Sequence, residues 1–600
     1  MTPAATDPLD LALIGNCQIA ALVDRLGNIV WACLPRPDGD PVFCALLKKE
    51  GARSREGVFA VELRDLVDAR SEYVRNTAVL ETTLTDTHGS AVRITDFCPR
   101  FRRRGRVFRP MSIVRLIEPL AGRPVVTIRM KPQRDYGAGE PQRVAGSHHI
   151  RFVAPPLLYR VTTNASLASL LDESPFVLDA PIALVLTPDE TVEEAPLTLA
   201  RSWLEETRQY WQEWIHGLAI PFDWQEAVIR AAVTLKLCTY EDTGAVLAAI
   251  TTSIPEIADS GRNWDYRYCW LRDSFFVIHA LNRLGATNTM EGYLRYLDRV
   301  VARSPGGVLQ PLYGIGAEAR IEERTVDSLD GYLGMGPVRI GNLAYEQTQH
   351  DVYGAIVLAA RQLFFDQRLP SLGDRSLYAR LEILGERAAT RFAQPDAGPW
   401  EFRGVAQVHT FSAVMCWAAC DRLARIAAQL KIEDRAGFWR RRADAMRAEI
   451  LLRAWSDAKK AFVGAFEGQD LDATVLLLPD LGFLDATDPR FVATLAAVER
   501  ELVRDDLVFR YAHRDDFGPP TNTFTMCSFW YVNALAGVGR GREARDLFEA
   551  LLTRRNAAGL FSEDIDPKSG RQWGNFPQTY SMVGVITSAL RLSRSWEEML

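Results

Sequence analysis

The sequence predicts a multidomain protein, an N-terminal antiparallel β-sandwich followed by an all-helical domain. Three observations carry this. The chain has 600 residues, more than one hydrophobic core supports. Short segments of strand character separated by turn residues fill its first 200 positions or so. From Phe222 onward the apolar residues recur every three or four positions instead.

In order along the chain, QIAALV (18–23), DRLGN (24–28) and IVWACL (29–34) read as strand, turn and strand. AVLETTLT, THGS and AVRITDFC repeat that pattern over 78–98, and VVTIRMKP, HIRFVA, LLYRVTT and FVLDAPIALVLTP continue it. Many short strands at this spacing favour a sandwich over residues 1–200. SWLEETRQYWQEWIHGL then spaces Trp203, Tyr210 and Trp214 as a helix would, and is assigned as a linker helix over 201–221. About twelve helical segments follow between 222 and 600, typified by Phe411, Met415, Ala419, Leu423 and Ile426. Periodicity alone leaves a bundle, a solenoid and a closed double ring open.

Composition narrows the function. The chain is 48% hydrophobic and 24% charged, with a net charge of -6, too mild for nucleic acid or an anionic membrane as the dominant partner. No apolar run reaches the roughly 18 residues of a membrane helix, and MTPAATDPLDLALIGNC lacks the basic start of a signal peptide, so the expected location is cytoplasmic. Nine Cys occur without CxxC, and Cys416 and Cys420 read as core thiols on a helix. There is no HExxH and no phosphate-binding glycine motif, so neither a metal nor a nucleotide cofactor is expected. Small neutral ligands remain.

The stretch RNWDYRYCWLRDSFF (262–276) fits such a ligand. A pyranose has apolar C–H faces and a rim of hydroxyls, so its site wants aromatic platforms beside charged groups that hydrogen-bond in pairs. Trp264, Tyr266, Tyr268 and Trp270 supply platforms; Arg272 and Asp273 supply a donor fork and an acceptor. The competing reading is an aromatic-rich helix start with structural ion pairs. Two further stretches present carboxylates in loops: PWEFRG (399–404) and GLFSEDIDPKSGRQWGNFPQTYS (559–581). Two carboxylates from separate loops are what glycoside hydrolysis needs, one to protonate the leaving oxygen and one to activate water or attack carbon. The run FRRRGRVFR (101–109) reads as a solvated loop between strands, and Trp417, Phe529 and Trp530 as core.

The order of RNWDYRYCWLRD, AYEQTQHDVYG (344–354), PWEFRG with HTFSAVMCWAACDRL, TFTMCSFWYVNAL (523–535) and SEDIDPKSGRQWGNFPQTYS resembles glycoside hydrolase family 15, the glucoamylase and trehalase-like family. IGNCQIAALVDRLGNIVWACLPRPDGDPVFCALL is similar to the trehalase-like N-terminal domain of its bacterial members. The resemblance implies that 222–600 is an (α/α)6 barrel and that the reaction is hydrolysis of a terminal α-glucosidic bond with inversion. It implies Glu401 as general acid and Glu563 as general base. Arg272 and Asp273 would grip the terminal glucose, with Tyr266 and Trp270 beside them; Trp400 and Arg403 would flank the acid; Gln349, His350 and Asp351 fall on a further sugar-facing segment. No cofactor is required by that chemistry. Pro399 and the SEDI sequence depart from the usual pattern, and both lie beside the catalytic pair, where they bear on the leaving-group site.

The leading expectation is an exo-acting hydrolase that takes β-glucose from the non-reducing end of malto- or isomalto-oligosaccharides. The alternative is a trehalase, and the alternative from another class is a non-catalytic glucan-binding sensor. The partner is a small neutral α-glucoside or trehalose, and a homo-oligomer is left open. Glu563 carries a further expectation, that Asp564 or Asp566 beside it is turned away or paired with Lys568 or Arg571, since like charges would raise its pKa.

Overall fold

A computed structural model describes residues 9–49 and 56–599. Its first part is a sandwich of two antiparallel sheets. One sheet runs Leu11–Gly15, Ala20–Asp24, Ile29–Leu34, Phe59–Leu63, Val125–Met130, Phe176–Val177, with Asp40–Phe43 beside the third strand. The other runs Gln142–Ala145, His149–Ala154, Leu157–Thr163, Ile182–Pro188, Ile113–Ala121, Ala91–Phe97, Leu80–Asp86, Leu66–Tyr73. Leu80–Asp86 alternates buried and half-buried side chains, as a strand with one face on a core must. Leu11–Gly15 is buried on both faces. Ala12 and Ile14 enter the sandwich core, whereas Leu11, Leu13, Leu22 and Trp31 join the core of the helical domain. The Trp31 indole also donates to Ile250 O across that junction at 2.8 Å.

Helix Pro196–His216 packs Leu199 and Ala200 on the outer face of the second sheet and sends Tyr210, Trp211 and Ile215 into the helical core. The FRRRGRVFR run is a two-stranded hairpin, Phe101–Arg103 with Arg106–Phe108, whose Phe101 and Phe108 rest on Trp203.

The helical part resolves the choice that periodicity left open. Leu271–Arg283, Asp351–Ala360, Thr410–Gln429, the 3-10 turn Ala473–Leu477, Thr525–Gly537 and Thr579–Leu592 each pack on the next, and the last returns to the first. This is a closed inner ring. Its members are apolar around most of their circumference, Asp351–Ala360 being buried at every position, which is what a helix surrounded by protein requires. Gln225–Leu237, Thr287–Ala302, Arg375–Arg391, Glu433–Arg453, Pro489–Leu502 and Gly541–Leu552 alternate with them along the chain and pack outside. The domain is an (α/α)6 barrel. Among the described residues no helix is long and apolar enough to cross a membrane.

All nine cysteines are buried free thiols, Cys416 and Cys420 included. Trp417, Phe529 and Trp530 are core residues, the last wedged behind Trp400 and Tyr580.

Candidate active site

The cavity lies where the inner helices begin. Arg272 and Asp273 occupy the first turn of Leu271–Arg283, Tyr580 the first turn of Thr579–Leu592, and the loop bearing Glu401 precedes Thr410–Gln429. Helix N-termini carry unpaired N–H groups and a positive dipole end, so carboxylates are favoured there.

Residues 262–270 are not the start of a helix. They form a loop that ends in the short strand Cys269–Trp270, and their side chains divide between two sides. Asp265 and Arg267 turn away from the cavity; they form a fully buried pair at 2.7 Å, and Arg267 also donates to Gly39 O of the sandwich at 2.7 Å. Trp264, Tyr266 and Trp270 line the cavity on the other face, whereas the Tyr268 hydroxyl takes the Gly341 N–H at 3.2 Å outside it.

Two of the aromatic residues in the cavity hold its carboxylates. The Tyr266 hydroxyl donates to Glu563 Oε1 at 2.6 Å, and the Trp270 indole donates to Glu401 Oε1 at 2.6 Å. The two rings meet edge to face with centroids 5.4 Å apart. One short segment therefore orients both glutamates, although they lie 131 and 297 residues from their donors.

Glu401 sits at φ 62° in the left-handed region, which a non-glycine residue occupies at a cost and which is common where function demands a fixed direction. Gln349 Nε2 lies 3.3 Å and Arg272 Nη2 3.5 Å from the same Oε1. Glu563 precedes a small sheet in which Asp564–Ile565 pairs with Thr523–Phe524 and Gln572–Trp573. Gly574, at φ 78°, closes over it, and a Cβ there would lie 2.6 Å from Glu563 Cβ. Glu563 is 1% exposed; Tyr266 holds its Oε1, while its Oε2 is buried against Gly574 with no hydrogen-bond partner.

Burial, with the Glu256 and Asp564 charges, pushes Glu563 well above the usual carboxylate range, and Arg510 opposes this. Asp564 is raised as well, chiefly by burial. The expectation that one acidic neighbour is turned away holds for Asp566. Asp566 is turned into its own turn, accepting the Lys568 N–H at 3.0 Å and the Ser569 hydroxyl at 2.6 Å. Asp564 stays buried beside Glu563, and Arg510, which ion-pairs with Glu256, supplies the main compensating charge in place of Lys568 or Arg571.

A pH prediction follows. A carboxylate must be ionised to accept a proton from water, so with its pKa raised the acid limb of kcat/KM lies above the ordinary glutamate value of about 4.3. Asp564→Asn removes one like charge and lowers the Glu563 pKa, and the limb moves to lower pH in a kcat/KM profile; an unmoved or raised limb contradicts this.

At the other end of the cavity, Arg272 Nη1 donates to Gln349 Oε1 at 3.0 Å and to Asp351 Oδ2 at 3.2 Å, and its Nε lies 3.3 Å from Asp273. Burial, together with Glu401 and Asp351, pushes Asp273 up to about 6 against the pull of Arg272. Arg272, Asp273, Trp400 and Arg403 line the cavity. Trp400 is fixed by donating to Asp472 Oδ2 at 2.7 Å. Gln349, His350 and Asp351 do not line it. Gln349 and Asp351 stand behind Arg272 as its acceptors, while the His350 ring packs beside Tyr353 and burial drives its pKa down to about 4. The His350 N–H instead donates to Asp396 Oδ2 at 2.7 Å, tying that segment to the loop that carries Glu401.

Sequence reasoning missed Glu256, Arg510, Gln578 and Tyr580, all of which line the cavity. Glu256 accepts from the Trp264 indole at 2.9 Å and pairs with Arg510 across 254 residues. Its nearness to the aromatic stretch was a usable signal; nothing marked Arg510. Among the described residues no group of His, Cys, Asp and Glu could hold a metal ion.

The model of the Glycosyl hydrolases family 15 matches residues 223–590, and a trehalase-like N-terminal model matches residues 3–156. The chain belongs to glycosyl hydrolase family 15. A trehalase of Mycobacterium tuberculosis is 33% identical over 98% of this chain and 90% of its own length. One from Thermoplasma volcanium is 31% identical over 97% and 93%. A bacterial glucoamylase complexed with acarbose superposes with a TM-score of 0.70 at 14% identity, covering 98% of this chain and 94% of that one, a likeness of fold. The family 15 chain is a glycoside hydrolase, and the sensor reading falls away. Similarity over nearly the whole chain runs to proteins named trehalase, which favours the second of the two substrate readings over the malto-oligosaccharide one.

Proposed function

We propose that this family 15 hydrolase is an inverting trehalase with Glu401 as general acid and Glu563 as general base. The observation that carries the catalytic part is the pairing of both glutamates with Tyr266 and Trp270 in one cavity. The substrate part is supported by similarity over nearly the whole chain to proteins named trehalase.

Arg272 and Asp273 bind the hydroxyls of one glucose at the closed end. Glu401 protonates the oxygen joining the two sugars as its bond to C1 breaks. Water attacks C1 from the opposite face and gives its proton to the Glu563 carboxylate, which the Tyr266 hydroxyl orients through Oε1. Trp270, Gln349 and Arg272 converge on the single Glu401 oxygen Oε1, which leaves Oε2 to deliver the proton. Glu563 gains a proton as Glu401 loses one, and exchange with solvent restores both.

Trehalose joins two α-anomeric carbons, so inversion at one of them releases one β-glucose and one α-glucose. Proton NMR before mutarotation should record the two anomers in equal amounts. α-Glucose alone would overturn inversion. Hydrolysis of maltose or isomaltose with trehalose untouched would overturn the trehalase reading.

A further inference from the structure

The cavity wall away from Arg272 and Asp273 is made by three segments far apart in sequence, and they are tied into a ring. Asp516 Oδ2 accepts the backbone N–H groups of Arg403 at 2.6 Å and Gly404 at 3.2 Å. A Cβ on Gly404 would lie 2.6 Å from Asp516 Oδ1, so a larger residue there would push the carboxylate from its present position. The preceding residue holds the other side. Asp515, its side chain 4% exposed, accepts from Arg262 at 2.5 Å, from the Phe517 N–H at 2.8 Å and from the Tyr511 hydroxyl.

Trp264 closes the ring. The Arg403 guanidinium lies over its indole at 4.3 Å, and Phe517 meets it edge to face at 5.4 Å. Arg262, Trp264, Arg403, Asp515, Asp516 and Phe517 all line the same cavity as Glu401 and Glu563. Arg403 is two residues from Glu401, so the two N–H groups on Asp516 also restrain the loop that presents the acid.

We propose that this ring is the compartment for the leaving sugar, and that Asp516 is the positioning and specificity residue that clasps it shut. The proposal rests on the hydrolase reading of the site and specifies its leaving-group side. A charged carboxylate accepting two N–H groups makes a stronger tie than a neutral acceptor would. Without it the 511–518 loop and the 401–406 loop lose their direct bond, and the compartment opens toward longer chains.

The test compares substrates that do and do not use the compartment. α-Glucosyl fluoride places one glucose at the closed end and leaves fluoride, with no sugar on the leaving side. Asp516→Ala should lower the ratio of kcat/KM for trehalose to that for α-glucosyl fluoride by about tenfold, mainly through KM. The same variant should raise maltotriose hydrolysis relative to trehalose. Asp516→Asn keeps an oxygen acceptor without the charge and should shift both ratios in the same directions by less; it also carries the test if the alanine variant fails to fold. Parallel losses on trehalose and α-glucosyl fluoride, or unmoved ratios, would overturn the proposal. If the wild-type enzyme splits another glucosyl disaccharide but not trehalose, the trehalase reading fails alone, and Asp516 is judged by the same ratio with that disaccharide.

Discussion

Glu563→Gln should lose about 10²–10⁴-fold in kcat on trehalose, the usual worth of a general base, while the protein stays folded. Gln has the shape of Glu and keeps an oxygen for the Tyr266 hydroxyl, so the 2.6 Å hydrogen bond has a partner. The variant also removes a buried carboxylate from a place where Glu256 and Asp564 already crowd it, and the fold should tolerate that well. What disappears is the oxygen that takes the proton from water. The loss should therefore be as deep on α-glucosyl fluoride, since water must be activated whatever the leaving group. Steady-state kinetics on both substrates read this directly. Turnover within a few-fold of wild type would remove Glu563 from the role of base.

Glu401→Gln should behave differently on the same pair of substrates. Trehalose needs its leaving oxygen protonated, and a loss of about 10²–10⁴-fold is expected there. Fluoride departs as a stable anion without a proton, so α-glucosyl fluoride should suffer far less. The Trp270 indole can still donate to the amide oxygen, and the loop should keep its course, with Gly398 O accepting the residue 401 N–H at 3.2 Å. Equal losses on both substrates would mean that Glu401 acts on something other than the leaving oxygen. The contrast between the two variants separates acid from base, which neither variant does by itself.

The aromatic stretch shows where sequence reasoning reached and where it stopped. Its composition marked it as a sugar site, and Arg272 and Asp273 do stand at one end of the cavity. Its periodicity was harder to read, because Trp264, Tyr266, Tyr268 and Trp270 suit a strand while the helix that follows begins at Leu271. Only the folded chain divides these residues into a face that carries the catalytic contacts and a face, Asp265 and Arg267, that anchors the segment to the sandwich. Gln349 and Asp351 illustrate a second limit. They belong to a segment with sugar-site character, yet both stand behind Arg272, and Gln349 also reaches Glu401 Oε1 at 3.3 Å.

Local patterns were sufficient for the elements themselves: alternation for the strands, a period near 3.6 for the helices, and turn residues between them, because each of these reflects which side of a short segment meets a core. Order along the chain, through family resemblance, singled out Glu401 and Glu563 as candidates, and both line the cavity. The tertiary structure shows the double ring that the family resemblance implied and periodicity left open, and it alone decided that Arg510 faces the buried carboxylates and that Asp516 ties the loop bearing Glu401 to a segment more than a hundred positions away. Those facts depend on contacts between residues distant in sequence, and the free energy of such a contact is a property of the pair in space, invisible in either residue's neighbours along the chain.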